Sequence, residues 1–190
     1  MSIKKGVTAC AVGVLVCIAL MGLRTSAVAQ HEAAKAKAQG VPITKAVALL
    51  MHTQEGEAEG RVTFTQTEKG IHVTGEISGL KPNSKHGFHV HEFGVWSPDG
   101  KAAGGHFNPT GQQHGEREAT KRHIGDLGNI EAKENGKAEI DFVDSNLKFD
   151  GPTSIIGRGL VVHEKADDYG QPVGNAGGRV AVGVIGVARP

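Results

Sequence analysis

Residues 61–77 read RVTFTQTEKGIHVTGEI, two runs with β-strand character joined by the turn Glu68-Lys69-Gly70. Apolar and polar side chains alternate in both runs, which is the period of a half-buried strand, and the short glycine-containing turn predicts a β-hairpin. A second hairpin is predicted at residues 129–142, where two similar runs flank a turn at 134–137. Both hairpins favour an all-β fold.

Four more β-like runs extend this pattern, at residues 46–52, 87–91, 159–162 and 180–187. The total of about eight short strands, with no strong helical period, predicts an all-β sandwich or barrel. Two long stretches interrupt the pattern and are rich in Gly, Pro, Asn and Asp: residues 95–124 and 165–178. Loops of this length in a compact domain are usually functional or disordered, so we expect two long functional loops.

The first 29 residues have the three parts of a secretory signal peptide. Lys4 and Lys5 give a positive start, an apolar run covers residues 7–23, and Ala27-Val28-Ala29 is a small-residue cleavage site. A membrane anchor is the alternative, but the run is about 17 residues long, short against the roughly 20 that a spanning helix needs. We expect cleavage after Ala29, export to the periplasm or the extracellular space, and no stable membrane span afterwards.

Cleavage would change the composition of the chain. It removes Lys4, Lys5 and Arg24 from the 21 basic side chains and none of the 20 acidic ones, so the formal charge changes from +1 to −2. That balance excludes nucleic acid as an expected partner. Cleavage also removes Cys10 and Cys17, the only two cysteines, so the mature chain could form no disulfide.

The rest of the chain divides into two parts. Residues 30–43 are small and charged, which predicts a flexible lead-in. Residues 44–190 are predicted to form one domain, which at about 145 residues is long enough to bury a working hydrophobic core.

Seven metal-ligand residues occur in an order that chance rarely supplies. They are His89 and His91 in GFHVHEFG (87–94), His106 in GGHFNP (104–109), His114, His123 and Asp126 in RHIGDLGN (122–129), and His163 in LVVHEKADD (160–168). His89 and His91 are two apart on a predicted strand, so both side chains project to one face.

The seven residues divide into two sets. His106 and the three ligands that follow it form a compact group of three imidazoles and one carboxylate, which suits the closed tetrahedral coordination of zinc. The remaining His89, His91 and His163 form a nitrogen-rich set that suits copper but is one ligand short. His106 would complete it if its imidazole bridged two metals.

These motifs closely resemble those of the copper/zinc superoxide dismutases. The resemblance runs from about residue 47 to residue 188 and includes IIGR (155–158), GNAGGR (174–179) and GVIGVA (183–188). It implies an eight-stranded Greek-key β-barrel with one copper and one zinc ion per subunit. It also implies an enzyme that converts two superoxide anions to oxygen and hydrogen peroxide, through a copper redox cycle with a zinc-held bridging histidine.

The resemblance also implies a role for each site residue. The copper ligands are His89, His91, His106 and His163, and the zinc ligands are His106, His114, His123 and Asp126. His106 is then the bridging residue that supplies a proton. Asp167 matches a carboxylate that links a copper histidine to a zinc histidine, and Arg179 matches the arginine that attracts and docks superoxide beside copper.

The chain also departs from the family pattern. The family's paired cysteines fall at Gly100 and Val182, so the disulfide that tethers the first long loop is absent, and we expect metal to be that loop's only strong tether. A homodimer is expected nonetheless, because apolar residues are kept at the positions that form the subunit contact in the animal enzymes: Phe93-Gly94, Ile156-Gly157 and Val187.

Two other functions remain open at this point. An exported copper/zinc-binding buffer without turnover would keep the same ligands. An interaction domain like the dismutase-like part of the copper chaperone for superoxide dismutase need not keep a copper site. Arg179 and Asp167 favour the enzyme over the buffer, since a buffer needs neither.

Overall fold

Eight β-strands make up almost all the regular structure of residues 42–190, the part of the chain that the computed structural model describes. The predicted signal peptide and nearly all of the predicted lead-in lie outside these residues. In chain order the strands are β1 (Lys45–His52), β2 (Glu59–Thr67), β3 (Gly70–Ser78), β4 (Lys85–His91), β5 (Asp126–Glu131), β6 (Ala138–Asp144), β7 (Gly159–His163) and β8 (Arg179–Val187). Within residues 42–190 no helix is long and apolar enough to cross a membrane.

The strands form one antiparallel sheet in the order β5-β4-β7-β8-β1-β2-β3-β6. The strands at the two ends of this order, β5 and β6, follow each other in the chain, so the sheet curls into a nearly closed barrel. β3 pairs with β6 rather than with β4, and β4 pairs with β7, which gives the crossed connections of a Greek key. The prediction of an eight-stranded all-β Greek-key barrel is confirmed.

The hairpin that predicts the fold also supplies much of the core. Val62 and Phe64 of β2 and Ile71 and Val73 of β3 are fully buried, whereas the residues between them are partly exposed. Burial of each such side chain stabilises the fold by about 1.5–3 kcal/mol. Truncation of Phe64 to alanine would cost about 3–5 kcal/mol, because a cavity adds to the lost burial.

β5 is the strand whose start differs most from the prediction, since it begins at Asp126 rather than at residue 129. Gly128 has a φ of +79°, and the pairing of β5 with β4 shifts register between Gly87 and His89. These irregularities interrupt the alternation by which a strand is recognised in sequence. Asp126 therefore lies at the first residue of a strand, where pairing with β4 fixes its backbone.

β4 and β7 are buried on both faces, unlike the other strands. Every residue of β7 and all but the first of β4 are buried. One face packs on the core, and the two long loops, residues 92–125 and 164–178, cover the other. Ala103, in a short 3-10 turn of the first loop, packs on Val161 of β7 and Val182 of β8. The site is therefore built between the barrel wall and its loops.

The first part of the 92–125 loop is held by contacts that need no metal. Gly100, where the family has a cysteine, has a φ of +69°, and a Cβ added there would lie 2.8 Å from Cβ of Arg179. Its carbonyl accepts a hydrogen bond from the Arg179 guanidinium, and the Pro98 carbonyl accepts one from the backbone of Gln54. The expectation that metal is the loop's only strong tether is therefore wrong for residues 95–104.

Candidate metal centre

Four of the candidate ligands meet on the outer face of β4. His89 and His91 project from β4, His163 ends the neighbouring β7, and His106 reaches the same point from the first loop. A β-bridge between His91 and His106 fixes that approach. All four side chains are buried, and one ligand atom from each lies within 4.8 Å of the other three.

A second group shares His106 with the first. His114, His123 and Asp126 complete it, again with all ligand atoms within 4.8 Å of one another and all four residues buried. Oδ1 of Asp126 lies 3.0 Å from Nδ1 of His106, 3.0 Å from Nδ1 of His114 and 3.2 Å from Nδ1 of His123. The structure thus brings together both sets of residues that the sequence selects.

Backbone carbonyls decide which nitrogen of two histidines faces the first group. Nδ1 of His91 donates to the Gly104 carbonyl at 3.0 Å, and Nδ1 of His163 donates to the Gly177 carbonyl at 3.3 Å. A neutral imidazole with its proton on Nδ1 presents a lone pair on Nε2. The two Nε2 atoms lie 3.3 Å apart, so both lone pairs are directed to the same place.

Asp167 orients one histidine of each group. Its carboxylate lies 2.8 Å from Nε2 of His89 and 2.9 Å from Nε2 of His114, which leaves Nδ1 of each ring for a metal. Asn129 holds Asp167 in turn, since its amide accepts from the Asp167 backbone N–H at 2.7 Å and donates to the Asp167 carbonyl at 3.0 Å. Asn129 belongs to the RHIGDLGN motif, but sequence reasoning assigned it no role.

Three buried ring nitrogens test whether metals fit the site. Among residues 42–190, the buried side-chain atoms without a hydrogen-bond partner are Nδ1 of His89, His114 and His123. The last two lie near Asp126, but not in hydrogen-bonding alignment. A buried unsatisfied polar atom costs about 1–3 kcal/mol, and a cation at the shared point would remove that cost. One set of three nitrogens and one oxygen suits zinc, and one set of four nitrogens suits copper.

The charge states also suit metal binding. Burial lowers the pKa of His106 to about 4 and that of His163 to about 3, so both rings are neutral near pH 7. Burial opposes ionisation of Asp126 and Asp167, but hydrogen bonds from the histidines hold the pKa of both carboxyls well below the usual range. Burial alone would lower the pKa of His114, but hydrogen bonds to these two carboxylates raise it to about 9.

Arg179 lies one carbonyl group away from the first group of histidines. Its guanidinium donates to the Gly100 carbonyl and to the Gly104 carbonyl, each at 2.7 Å, and Gly104 is also the acceptor for His91. Burial lowers the pKa of Arg179, but an arginine stays cationic at any ordinary pH. The structure therefore places a fixed positive charge beside the candidate copper ligands.

The β1–β2 connection holds the backbone of Arg179. Thr53 donates its hydroxyl to the Arg179 carbonyl, and the Arg179 N–H donates to the Glu55 carboxylate at 3.2 Å. Neither residue carries a signal in the sequence, because the contact joins segments more than 120 positions apart. The arginine is thus anchored through its backbone as well as through its guanidinium.

Residues 58–185 match the family model described as "Copper/zinc superoxide dismutase (SODC)". The chain belongs to the copper/zinc superoxide dismutase family. The family is named for its two metals, and the two ligand sets described above provide one site suited to each.

Relatives of known identity agree with this assignment. The chain is 45% identical over 154 residues to "Superoxide dismutase [Cu-Zn]" of Paramecium bursaria Chlorella virus 1, which covers 77% of this chain and 82% of the relative. It is 43% identical over 149 residues to "Extracellular superoxide dismutase [Cu-Zn]" of Brugia pahangi, covering 73% and 74%. The crystal structure of the clock protein EA4 superposes with a TM-score of 0.72 at 46% identity, over 78% of this chain and 97% of that one.

Proposed function

We propose that this chain is a superoxide dismutase, which converts two superoxide anions to oxygen and hydrogen peroxide. The observation that carries the proposal is the joint arrangement of two four-residue ligand sets sharing His106, with Arg179 beside one of them. A copper/zinc buffer would need the ligand sets but no arginine fixed next to them. Membership of the dismutase family also favours the enzyme.

The ligand atoms follow from the hydrogen bonds that hold the other ring nitrogens. We assign copper to Nδ1 of His89 and to Nε2 of His91, His106 and His163, and zinc to Nδ1 of His106, His114 and His123 with Oδ1 of Asp126. Bound copper would supply a one-electron redox change, and bound zinc a fixed positive charge on the far side of His106.

The protein residues then have separate tasks. Arg179 attracts superoxide and docks it with a fork of N–H donors, which suits a small anion. Nε2 of His106 is the atom that holds a proton and passes it to the reduced substrate. Asp167 keeps the rings of His89 and His114 in their orientations, as carboxylate partners of metal-bound histidines commonly do.

Superoxide consumption by the protein loaded with copper and zinc tests this function. We expect the rate of superoxide loss to rise in proportion to protein and to be abolished in His163→Ala, which loses a copper ligand but no zinc ligand. The matched control is His72→Ala, on the outer face of β3, where His72 pairs with Asp141. If the wild-type protein holds both metals without turnover, the buffer is the correct function.

We also infer that the enzyme is exported. Residues 1–29 would be the signal peptide, 30–43 the lead-in and 44–190 the enzyme domain, with the mature chain in the periplasm or the extracellular space. The extracellular name of the Brugia pahangi relative is compatible with export. The mass of the protein recovered outside the cytoplasm should correspond to a chain beginning at Gln30. Recovery of the full-length chain from the membrane fraction would contradict cleavage.

We further infer a homodimer that buries one apolar surface, defined by Leu49, Phe93-Gly94, Ile156-Gly157, Val184 and Val187. Leu49 is 62% exposed, Phe93 54% and Val187 59%, although all are apolar. β1 pairs with β8, and a Cβ on Gly94 would lie 2.3 Å from the Gly157 carbonyl oxygen and 2.9 Å from a methyl group of Val184, so the members adjoin. Contiguous exposed apolar surfaces mark interaction sites.

A further inference from the structure

His114 is held by the second long loop at both its backbone and its ring. Its backbone N–H donates to Oε1 of Gln171 at 3.1 Å, and its carbonyl accepts from Nε2 of Gln171 at 2.8 Å. Its ring is held by Asp167, four residues earlier in the same loop. One side-chain amide thus satisfies both backbone groups of a candidate zinc ligand.

The local structure around His114 gives the pair of bonds with Gln171 unusual weight. Residues 110–121 form no strand or helix, and their own backbone hydrogen bonds join near neighbours, such as Gly111 to Asn108 and Ala119 to Glu116. In the part of the chain that the structure describes, the backbone N–H and carbonyl of His114 bond to Gln171 alone. Nothing else fixes this backbone in the way that strand pairing fixes Asp126 or His89.

We propose that Gln171 is a positioning residue for zinc, which sets the backbone of His114 so that Nδ1 faces the zinc site. The inference rests on the proposed role of His114 as a zinc ligand. It gives the second loop a specific task in this disulfide-free enzyme: the loop builds part of the zinc site as well as covering the copper side. Outer partners of metal ligands typically change metal affinity 10- to 100-fold when they are removed.

The chemistry of the side chain restricts what can replace it. An amide offers one acceptor for the His114 N–H and one donor for the His114 carbonyl, and glutamine is long enough to reach both. Glutamate keeps the acceptor but puts a second anionic oxygen against the His114 carbonyl. Leucine keeps a similar size and loses both hydrogen bonds. The two variants therefore differ in charge but agree in lacking the donor.

Zinc affinity, measured by competition with a chromophoric chelator on the full-length copper-free protein, tests the inference. We expect Gln171→Leu to weaken zinc binding by about 10- to 100-fold, and Gln171→Glu at least as much. The matched control is Gln112→Leu, two residues before His114, where the amide bonds only to Thr110 of its own turn. The control should bind zinc within about twofold of wild type. Copper affinity at the other site should also stay within about twofold in all three variants.

Cobalt substitution separates positioning from general stability. Cobalt bound at the zinc site should show an altered visible spectrum in Gln171→Leu, because the displaced His114 changes the ligand geometry. Wild-type zinc affinity in Gln171→Leu would overturn the inference. So would an unaltered cobalt spectrum with copper and zinc binding weakened equally, which would mean that Gln171 only stabilises the loop. Absence of zinc binding in the wild-type protein would instead overturn the proposed zinc site itself.

Discussion

Arg179 combines two functions that are usually assigned to different residues. Its guanidinium bonds to Gly100 and Gly104 and so helps to hold the first loop, while its charge lies beside the candidate copper ligands. The same charge contributes to holding the pKa of His91 well below its ordinary value, after burial and the neighbouring His163 and His106. A substitution of Arg179 therefore has to be separated into a structural and an electrostatic effect.

Arg179→Ile should leave both metals bound but lower kcat/KM by roughly tenfold, which corresponds to about 1.4 kcal/mol of barrier. The dependence of the rate on salt should also flatten, since attraction by a partly exposed charge is screened by ions. Arg179→Lys should keep part of the rate, because the charge survives while the fork of donors is lost. Superoxide decay at several ionic strengths measures these effects.

The control for charge alone is Arg61→Ile on the exposed face of β2, which should change neither the rate nor its salt dependence by more than about twofold. A full rate in Arg179→Ile, with unchanged salt dependence, would remove the role of Arg179 in docking and would favour the buffer function.

Glu55 places a negative charge next to this arginine. Its carboxylate accepts the Arg179 backbone N–H at 3.2 Å, so it holds the residue but also opposes the approach of an anion. Glu55→Gln keeps an acceptor and removes the charge, and should raise kcat/KM by about twofold at low ionic strength, with the gain lost at high salt. Glu57→Gln, exposed in the same connection, is the control. A lower rate in Glu55→Gln would mean that holding the backbone outweighs the charge.

The first long loop behaves as two elements rather than one. Residues 95–104 are fixed by Ala103 packing on β7 and β8 and by the hydrogen bonds to Arg179. Residues 105–125 carry three histidines and depend more on the carboxylate of Asp126, which also accepts the backbone N–H groups of Gly115 and His123. Loss of zinc should therefore release the second part before the first.

His114→Ala or Asp126→Ala should remove zinc and expose residues 105–125, and the midpoint of thermal unfolding should fall relative to the zinc-bound wild type. Hydrogen exchange should increase in residues 105–125 and change little in residues 95–104. Melting of the wild-type protein with and without zinc provides the reference. Equal melting temperatures for the zinc-free and zinc-bound forms would show that zinc does not order the loop.

The elements that sequence predicted best are those with a local signal. The alternation in residues 61–77 gives both strands of the first hairpin, and the motifs around His89, His123 and His163 give both ligand sets. The start of β5 was missed because Gly128 interrupts the alternation. The roles of Gln171, Asn129 and the Gly104 carbonyl have no local signal, since each depends on which distant loop the fold brings near.

At the scale of the whole molecule, the apolar surface around Leu49 and Phe93 is the feature that the isolated barrel leaves exposed. Its members come from β1, β8 and two connections, so only the folded barrel assembles them. Sequence could select several of these positions through the family resemblance, but the contribution of Leu49 follows from the pairing of β1 with β8.

Sedimentation at micromolar concentration should show a homodimer, and Phe93→Glu should convert it to a monomer, because a charge buried in an apolar interface has no partner. The control is Val143→Glu on β6, where a 47% exposed valine lies outside the proposed surface. That variant should stay dimeric. A wild-type protein that sediments only as a monomer would contradict the dimer.

The Gly104 carbonyl, which accepts from both His91 and Arg179, has a consequence for thermal motion. Gly104 has a φ of +75° and a ψ of −154°, a conformation open almost only to glycine. Because one oxygen is bonded to both side chains, a displacement of this peptide group carries the histidine and the guanidinium in the same direction. The separation between the place where the anion is held and the place where its electron is exchanged should then fluctuate less than the loop itself. Electron transfer depends steeply on distance, so correlated motion at one peptide group would keep the rate uniform while the surrounding chain moves.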